Sequence, residues 1–290
     1  MASADLSGRI VIVSGVGSGL GRAMSLGLAQ AGAGVLGVDL NLERANATAA
    51  EAVEAGAKGR IVTAQCDVRR QDDCERVVAT AIDKLGGLTG LVNCAGLGMP
   101  HLKPDYLSAP LRFWNADPQR WQELMDVNVR GPFLMARAAA PHMIAQKWGR
   151  IVNVTTSFNT MIRGANMPYG QSKAALEAAS NSWAEDLGGS GVTVNVLVPG
   201  GAADTPMVPQ DSPYERSQLV RPETMVAPIC WLMSDQSDGV TGMRFVGRLW
   251  DPATPWQEAM KAAGSKAAWP ELAAEAAKGG QPAPKGGFKK

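Results

Sequence analysis

The stretch that decides the fold is Ile-Val-Ile-Val-Ser-Gly-Val-Gly-Ser-Gly-Leu-Gly, residues 10–21. Its first four residues form a short, continuous apolar run, which is typical of a strand buried on both faces of a parallel sheet. A glycine-rich turn follows, and the alanine- and leucine-rich segment from about Gly21 to Ala31 predicts a helix. The stretch therefore predicts a strand, a tight turn and a helix in succession, the first unit of a layered α/β structure.

Apolar runs and helical patterns keep alternating along the rest of the chain. Further buried strands are predicted at residues 35–38, 61–64, 90–93, 150–154 and 192–198. Helices are predicted between them at about 43–55, 74–85 and 118–143, and from Pro168 to the pair Gly188-Gly189. Strands that alternate with helices at this spacing predict an α/β fold, a Rossmann-like doubly wound parallel sheet in a single domain.

The domain is expected to span residues 1–250, followed by a helical C-terminal extension over 251–278 and a disordered tail over 279–290.

Composition and charge argue against several classes of partner. The chain has 290 residues, 46% hydrophobic and 19% charged, and its net charge of +1 gives no reason to expect nucleic acid. It shows no apolar run of the roughly 18 residues that a membrane span needs. The N-terminal residues lack a basic region and a long apolar stretch, so we do not expect a signal peptide. Its four cysteines and two histidines lack metal-ligand spacing. We therefore expect a cytoplasmic protein without a metal.

The glycine turn and the end of the second strand together suggest a nucleotide site. Glycines allow positive φ and let a pyrophosphate approach the backbone N–H groups at a helix N-terminus, although a plain tight turn is the alternative for a glycine cluster alone. Asp39, at the end of the next strand, can accept hydrogen bonds from both ribose hydroxyls and would repel a 2′-phosphate. Leu40, Gly17 and Ser18 offer no cation for such a phosphate. The sequence therefore favours NAD over NADP.

Tyr169 and Lys173 stand four residues apart in the helix predicted after Pro168, so their side chains share one face. A phenol has an ordinary pKa of about 10, and a nearby ammonium favours its anion. Such a pair could supply a general acid or base near neutral pH. An exposed helix face is the alternative interpretation of the same spacing.

Several motifs occur in an order that resembles the short-chain dehydrogenase/reductase (SDR) family, over about residues 6–247. They are Ser14-Gly15-xxx-Gly19-x-Gly21, Asn93-Cys-Ala-Gly96, Asn128 in Val-Asn-Val-Arg, Tyr169-xxx-Lys173 and Pro199-Gly200. The resemblance implies that Tyr169 moves the hydroxyl proton, that Lys173 holds the nicotinamide ribose and lowers the tyrosine pKa, and that Asn128 positions a water. The implied cofactor contacts are Ser14, Gly15, Gly17, Ser18, Gly19, Leu20, Gly21, Asp39, Leu40, Asp67, Val68, Asn93, Ala95, Gly96, Tyr169, Lys173, Pro199, Gly200 and Thr205.

The chain departs from the family pattern at four places. The family usually carries, before the tyrosine, a serine that polarises the substrate oxygen. This chain has Thr156 at that position, with Ser157 adjacent. The register of the strand favours Thr156 for this role, because Ser157 could take it only with a one-residue shift or a bulge. The spacing from Pro199 to Thr205 is one residue longer than usual. The connection 97–115 is long and could cover the substrate pocket, and Val246-Gly-Arg-Leu249 replaces the usual glycine pair after the last strand.

The sequence thus predicts an NAD-dependent oxidoreductase that moves a hydride between nicotinamide and a secondary alcohol or ketone. A non-catalytic NAD-binding regulator or scaffold is the alternative, and sugar epimerase or dehydratase chemistry fits the glycine spacing less well. Apolar and aromatic side chains in candidate pocket segments favour a bulky or aromatic small-molecule substrate, although core packing explains them equally well; these are Met99, Phe113, Trp114, Phe158, Met161 and Met207. The resemblance implies a homotetramer, with a dimer as second choice, and the alanine-rich stretches 136–140 and 174–179 would allow the close helix packing of such an assembly.

Overall fold

A computed structural model of the chain describes residues 4–271. Within this range the strands form one sheet in the order β3-β2-β1-β4-β5-β6-β7-β8. The strands are β1 (Ile10–Ser14), β2 (Gly34–Asp39), β3 (Arg60–Gln65), β4 (Gly90–Asn93), β5 (Gly149–Val154), β6 (Val192–Val198), β7 (Met243–Val246) and β8 (Gly264–Lys266). The first seven pair in parallel, and β8 pairs antiparallel with β7. The predicted α/β fold with a Rossmann-like doubly wound sheet is confirmed.

Helices cover both faces of this sheet. They are α1 (Gly19–Gln30), α2 (Leu42–Glu54), α3 (Gln71–Leu85), α4 (Pro118–Met125), α5 (Gly131–Ala145), α6 (Phe158–Ile162), α7 (Tyr169–Asp186), α8 (Val226–Leu232) and α9 (Trp256–Ala263). None of the helices within residues 4–271 is long and apolar enough to cross a membrane.

The first strand shows why the fold follows from its apolar run. Val11 and Val13 are fully buried in the core layer that contains α1 and α8, whereas Ile12 is fully buried in the opposite layer with α3 and α5. Successive side chains of a strand point to opposite faces. A strand covered on both faces therefore needs an uninterrupted apolar sequence, and this is why β1 could be located from sequence.

Two predicted helical segments differ in detail from the structure. The helix predicted at 118–143 is divided into α4 and α5 by a π-helical turn, Asp126–Arg130. The helix predicted to begin at Pro168 begins at Tyr169, and Pro168 occupies the capping position before it.

The C-terminal extension is only partly helical. After the eight residues of α9, Gly264–Lys266 pairs with β7 as a strand, so the prediction of a helical extension is wrong for these residues. The physical reason is the free edge of β7, whose unpaired backbone groups are satisfied by the returning chain. The part of the expected extension beyond Glu271 and the expected tail 279–290 lie outside the described residues.

Candidate active site

The glycine turn lies at the carboxyl end of β1, against the ends of neighbouring elements. Gly15 has φ +76°, and a Cβ added to it would lie 2.9 Å from the Cα of Ala95. Gly19 has φ +52°, and a Cβ there would lie 2.8 Å from the methyl group of Thr205. Both positions combine a left-handed backbone with close approach by another segment, so larger residues would be strained and crowded there. The turn opens α1, whose first N–H groups and dipole favour an anion.

Asp39, the last residue of β2, is fixed beside this turn. Its Oδ2 accepts a hydrogen bond of 2.9 Å from the Gly17 N–H, and its Oδ1 accepts one of 2.9 Å from the Asn41 N–H. Leu40 is 60% exposed, and the Cβ of Arg44 lies beside Gly17. Arg44 was not among the candidate site residues identified from the sequence. Its position in the first turn of α2, five residues after Asp39, could have indicated that it lies near the glycine turn.

Two residues expected to contact the cofactor use their side chains elsewhere. The buried hydroxyl of Ser14 accepts hydrogen bonds of 3.1 Å from the backbone N–H groups of both Cys94 and Ala95. The buried amide of Asn93 donates to Asn153 Oδ1 at 2.8 Å. These side chains tie β1 to the end of β4 and β4 to β5, so they shape the backbone near the site and do not line it themselves.

Asp67 and Val68 follow β3 at the same edge of the sheet. Arg69, a residue that sequence reasoning did not include, donates to both carboxylate oxygens of Asp67, at 2.9 Å and 2.7 Å. These hydrogen bonds hold the pKa of Asp67 well below its usual range. Val68 is buried against Gly131 at the start of α5.

Asn128 lies in the π-helical turn between α4 and α5 and is fully buried. Its Nδ2 donates to the Leu97 carbonyl at 2.9 Å and to Ser172 Oγ at 3.0 Å, and its Oδ1 accepts from the Leu97 N–H at 2.8 Å. Single π-helical turns within a helix often occur at functional sites. Here the turn directs the amide toward the chain after β4 and toward the first turn of α7.

Lys173 and Gly96 meet Asn128 at this point. A Cβ added to Gly96 would lie 3.3 Å from Asn128 Oδ1 and 3.5 Å from Lys173 Nζ. Lys173 is 4% exposed, and its Nζ donates to the Val154 carbonyl at 2.8 Å. Burial disfavours the ammonium and lowers the pKa of Lys173 to about 8.

Tyr169 begins α7 and is half-buried, with its phenol enclosed by the surrounding chain. Burial raises its pKa to about 12, and the nearby Thr156 side chain acts in the opposite direction. Sequence reasoning expected the Lys173 ammonium to lower this pKa. In the structure that ammonium is directed at the Val154 carbonyl, and burial dominates.

Thr156 and Ser157 have different partners. Thr156 lies near Tyr169 and lowers the pKa of its phenol, whereas Ser157 caps α6, where its Oγ accepts a 3.1 Å hydrogen bond from the Thr160 N–H. The Ser157 hydroxyl also lies 2.8 Å from Thr160 Oγ1. The two neighbouring hydroxyls are thus divided between the site and a helix cap.

The segment after β6 carries the remaining residues expected from sequence. Gly200 has φ +95°, and the Arg248 side chain packs against it. The Arg248 N–H donates to the Pro199 carbonyl at 3.1 Å. Thr205, whose place was uncertain from its spacing, packs on Gly19 and so lies at the glycine turn.

A cavity of about 810 Å³ lies between the 97–115 connection and the α6–α7 loop, and Tyr169 itself is not part of its lining. Met167 and Gln171, which flank Tyr169 in sequence, line it together with Phe113 and Trp114, whose rings meet edge to face at 5.0 Å. Of the other candidate pocket residues, Met99 and Met161 are each 3% exposed and Met207 packs on Gly98. Phe158 stacks under Arg244.

Known proteins resemble this chain over most of its length. The sequence model of the family described as short chain dehydrogenase matches residues 9–215. A 3-oxoacyl-[acyl-carrier-protein] reductase of Thermotoga maritima is 30% identical, over 82% of this chain and 95% of its own length. A 2,5-dichloro-2,5-cyclohexadiene-1,4-diol dehydrogenase of Sphingobium indicum is 32% identical, over 82% and 94%.

Solved structures show the same fold. The 3-ketoacyl-(acyl-carrier-protein) reductase of Brucella melitensis, complexed with NADH, is 26% identical and superimposes with a TM-score of 0.70, covering 81% of this chain and 95% of its own. The family match spans most of the chain, and its relatives are dehydrogenases and reductases. The chain therefore belongs to the short-chain dehydrogenase/reductase family and is an oxidoreductase of that family.

Proposed function

We propose that this protein is an NAD-dependent alcohol dehydrogenase or ketoreductase that uses Tyr169 as its general acid and base. The observation that carries the proposal is the convergence of four polar side chains at the carboxyl edge of the sheet. Thr156 lies close enough to Tyr169 to lower the pKa of its phenol, while Lys173 and Asn128 meet beside Gly96. These side chains come from three separate parts of the chain, and their meeting supports a catalytic role over an exposed helix face.

The glycine turn and Asp39 fit a dinucleotide. The turn presents α1 N–H groups and lacks the Cβ atoms that would close the cradle, as at Gly15 and Gly19. The Asp39 carboxylate, held by the Gly17 and Asn41 amides, can accept from ribose hydroxyls and repels a 2′-phosphate. NAD is therefore the proposed cofactor, and when bound it gives or takes the hydride. The side chains of Ser14 and Asn93 support this site from behind.

The protein's own contribution is the proton. With a pKa of about 12, the Tyr169 phenol holds its proton at neutral pH and can donate it from Oη to a carbonyl oxygen that becomes an alcohol. In the opposite direction the phenolate accepts that proton. The Thr156 hydroxyl polarises the same substrate oxygen, Lys173 holds the nicotinamide ribose, and Asn128 positions a water of the proton relay.

A panel of secondary alcohols and ketones, followed by absorbance of the reduced cofactor, tests this function. Tyr169→Phe should lose several orders of magnitude in kcat while NADH affinity stays near wild type, because only the acid/base is removed. Tyr214→Phe, which removes an exposed phenol by the same substitution, is the matched control and should keep its turnover. Retained turnover in Tyr169→Phe would remove the assignment.

The roles of the two neighbouring hydroxyls are tested in the same assay. Loss of one preorganised donor to a developing oxyanion raises a barrier by ~2.7–4 kcal/mol, so Thr156→Val should slow turnover ~100-fold or more. Thr156→Ser keeps the donor and should stay active. Ser157→Ala should cost about 1 kcal/mol of stability as a lost helix cap, with little effect on turnover. An inactive Ser157→Ala beside an active Thr156→Val would exchange the two roles.

The proposed substrate is a bulky apolar or aromatic small molecule. Phe113 and Trp114 are 69% and 68% exposed and line the cavity that also contains Met167 and Gln171, two residues either side of Tyr169 in sequence. The relative from Sphingobium indicum, which acts on a chlorinated cyclohexadiene diol, supports a cyclic substrate. A substrate panel should therefore include cyclic and aromatic alcohols, and a preference for short aliphatic alcohols would contradict this choice.

We also propose a homotetramer in the cytoplasm, with a dimer as second choice. The outer face of α5 exposes Phe133 by 48% and Ile144 by 44%, an apolar surface that a neighbouring helix could cover. All four cysteines are free thiols, which suits a reducing compartment. Light scattering at micromolar concentration measures the mass, and a monomer would contradict both assemblies.

A further inference from the structure

A buried ion pair connects the last parallel strand to the helix that carries Tyr169. Arg244 of β7 is 5% exposed and Glu177 of α7 is fully buried, and Arg244 Nη1 lies 2.7 Å from Glu177 Oε2. Buried ion pairs contribute little net stability, because desolvation of both charges offsets their attraction. Stability therefore does not explain this ion pair, and the groups that it bonds indicate its role.

The partners of the pair indicate that role. Arg244 Nη2 donates to the backbone carbonyl of Thr156 at 2.6 Å. Arg244 Nη1 also reaches Thr155 Oγ1 at 3.3 Å, and this hydroxyl donates to Glu177 Oε2 at 2.7 Å. The planar guanidinium thus bonds three acceptors at once, which its fixed fork of donors suits. Two of these acceptors belong to the peptide segment that carries the Thr156 hydroxyl.

This segment lies where the sheet no longer holds the chain. β5 ends at Val154, and the next bond to β6, from the Thr155 N–H to the Leu197 carbonyl, is long at 3.4 Å. Thr156 lies one residue beyond it. Arg244 therefore supplies the hydrogen bond that fixes the Thr156 peptide.

Helix α7 carries Tyr169 and also bonds the chain segment that leads to Thr156. Lys173 and Glu177 are four residues apart, and Lys173 bonds the Val154 carbonyl while Glu177 bonds the Thr155 hydroxyl. The helix that begins with Tyr169 thus sets the path of the chain toward Thr156. Because Tyr169 and Thr156 approach the same substrate oxygen in the proposed function, their relative position matters.

The C-terminal extension completes the enclosure of the pair. The Ala268 N–H donates to Glu177 Oε1 at 3.3 Å, so both carboxylate oxygens have partners. The guanidinium carbon of Arg244 lies 4.2 Å from the ring centroid of Phe158, and Trp269 packs against the same ring at 6.0 Å. The pair is therefore bonded by the Ala268 N–H and covered by Phe158.

We propose that Arg244, with its charge balanced by Glu177, is a positioning residue that holds the peptide of Thr156 and thereby fixes the place of its hydroxyl near Tyr169. The proposal rests on the function proposed above for the catalytic role of Thr156. Arg244 acts through the backbone of the threonine and not on the substrate.

The test removes both charges together, since removal of one alone would leave a buried unpaired charge. In Arg244→Met/Glu177→Leu we expect a folded protein with near-normal NADH affinity and a kcat reduced ~10- to 100-fold, with a smaller change in KM. The alkaline limb of alcohol oxidation should also move to higher pH. This follows because the nearby Thr156 hydroxyl lowers the pKa of Tyr169, while Tyr106 and Cys94, whose charges also act on this phenol, are unchanged.

Two further variants separate positioning from general stability. Arg244→Lys keeps a charge for Glu177 but not the three-pronged geometry, so its kcat and pH profile should lie between those of the wild type and the double variant. Arg150→Met removes another buried arginine at the opposite end of β5, where Arg150 bonds to Asp238. It should change the unfolding free energy without moving the pH profile.

A double variant with wild-type kcat and pH profile, beside an inactive Thr156→Val, would overturn the positioning role and leave the proposed function intact. Hydrogen exchange gives a readout without substrate. Amides of residues 156–162 should exchange faster in the double variant than in wild type, with Arg150→Met as control. Unchanged hydrogen exchange at residues 156–162 would overturn the positioning role. A wild type that turned over no alcohol would refute the proposed function, and the exchange experiment would still test the positioning role.

Discussion

The buried charge of Lys173 should be measurable as a pH-dependent loss of stability. Burial lowers its pKa from 10.5 to about 8. Because a tenfold change in proton affinity corresponds to about 1.4 kcal/mol, the charged lysine destabilises the folded chain by about 3 kcal/mol. Below pH 8 both folded and unfolded chains carry the proton, and the whole cost is present. Between pH 8 and 10.5 only the unfolded chain keeps it, so the contribution to stability rises with pH and the cost is gone above this range.

Lys173→Met removes this cost, and it also removes the 2.8 Å hydrogen bond to the Val154 carbonyl. An unsatisfied buried carbonyl costs about 1–3 kcal/mol, so at neutral pH the two effects oppose each other. The hydrogen-bond loss does not titrate, whereas the charge does. The unfolding free energy of wild type relative to the variant should therefore increase by about 3 kcal/mol between about pH 7 and 11.

Urea unfolding of the apoprotein at a series of pH values measures this difference. Lys261→Met, which removes an exposed lysine of α9, is the control and should run parallel to wild type. Unfolding free energies of wild type and Lys173→Met that run parallel over this pH range would refute the buried charge. A wild type whose unfolding free energy falls relative to the variant at high pH would refute it as well. Loss of turnover at every pH is expected in the same variant, because the residue also serves the proposed cofactor.

Three further outcomes follow from the site. Asp39→Ala with Leu40→Arg should weaken NAD binding and improve NADP binding in fluorescence titrations, since the repelling carboxylate is gone; a wild type that prefers NADP would contradict the assignment. Gly96→Ala places a Cβ 3.3 Å from Asn128 Oδ1 and should lower NADH affinity and turnover without unfolding the chain, so unchanged binding would contradict the proximity. Alcohol oxidation should accelerate with rising pH below about 12, because it needs the Tyr169 phenolate, whereas ketone reduction should not; an oxidation rate that falls with pH would exclude this base.

The parallel strands could be predicted from sequence because burial on both faces leaves a continuous apolar run, as in Val192–Val198. β8 could not, because Gly264-Ser-Lys266 carries no such pattern and forms only where the edge of β7 is available. Strand formation there depends on tertiary pairing and not on local preference.

The candidate site likewise contains residues that could be predicted from the sequence and residues that could not. Tyr169 and Lys173 could be proposed because helical spacing places them on one face. The Arg244–Glu177 pair could not, since the two charges lie 67 residues apart and nothing local connects them. The spacing from Ser157 to Thr160 is that of a helix cap, which could have separated Ser157 from Thr156 before the structure was known.

The returning strand β8 has a consequence for how copies of this chain can meet. An uncovered edge of a parallel sheet accepts a strand from another molecule, and a sheet can then continue across two subunits. In this chain the backbone groups of β7 are already bonded to residues 264–266, so no second chain can add to β7 while β8 is in place. The new edge is three residues long and ends in the exposed Lys266, a short and charged border that resists further strand addition. On this side of the sheet, contacts between copies are left to side chains of helices and loops, and growth into a continuous intermolecular sheet is blocked.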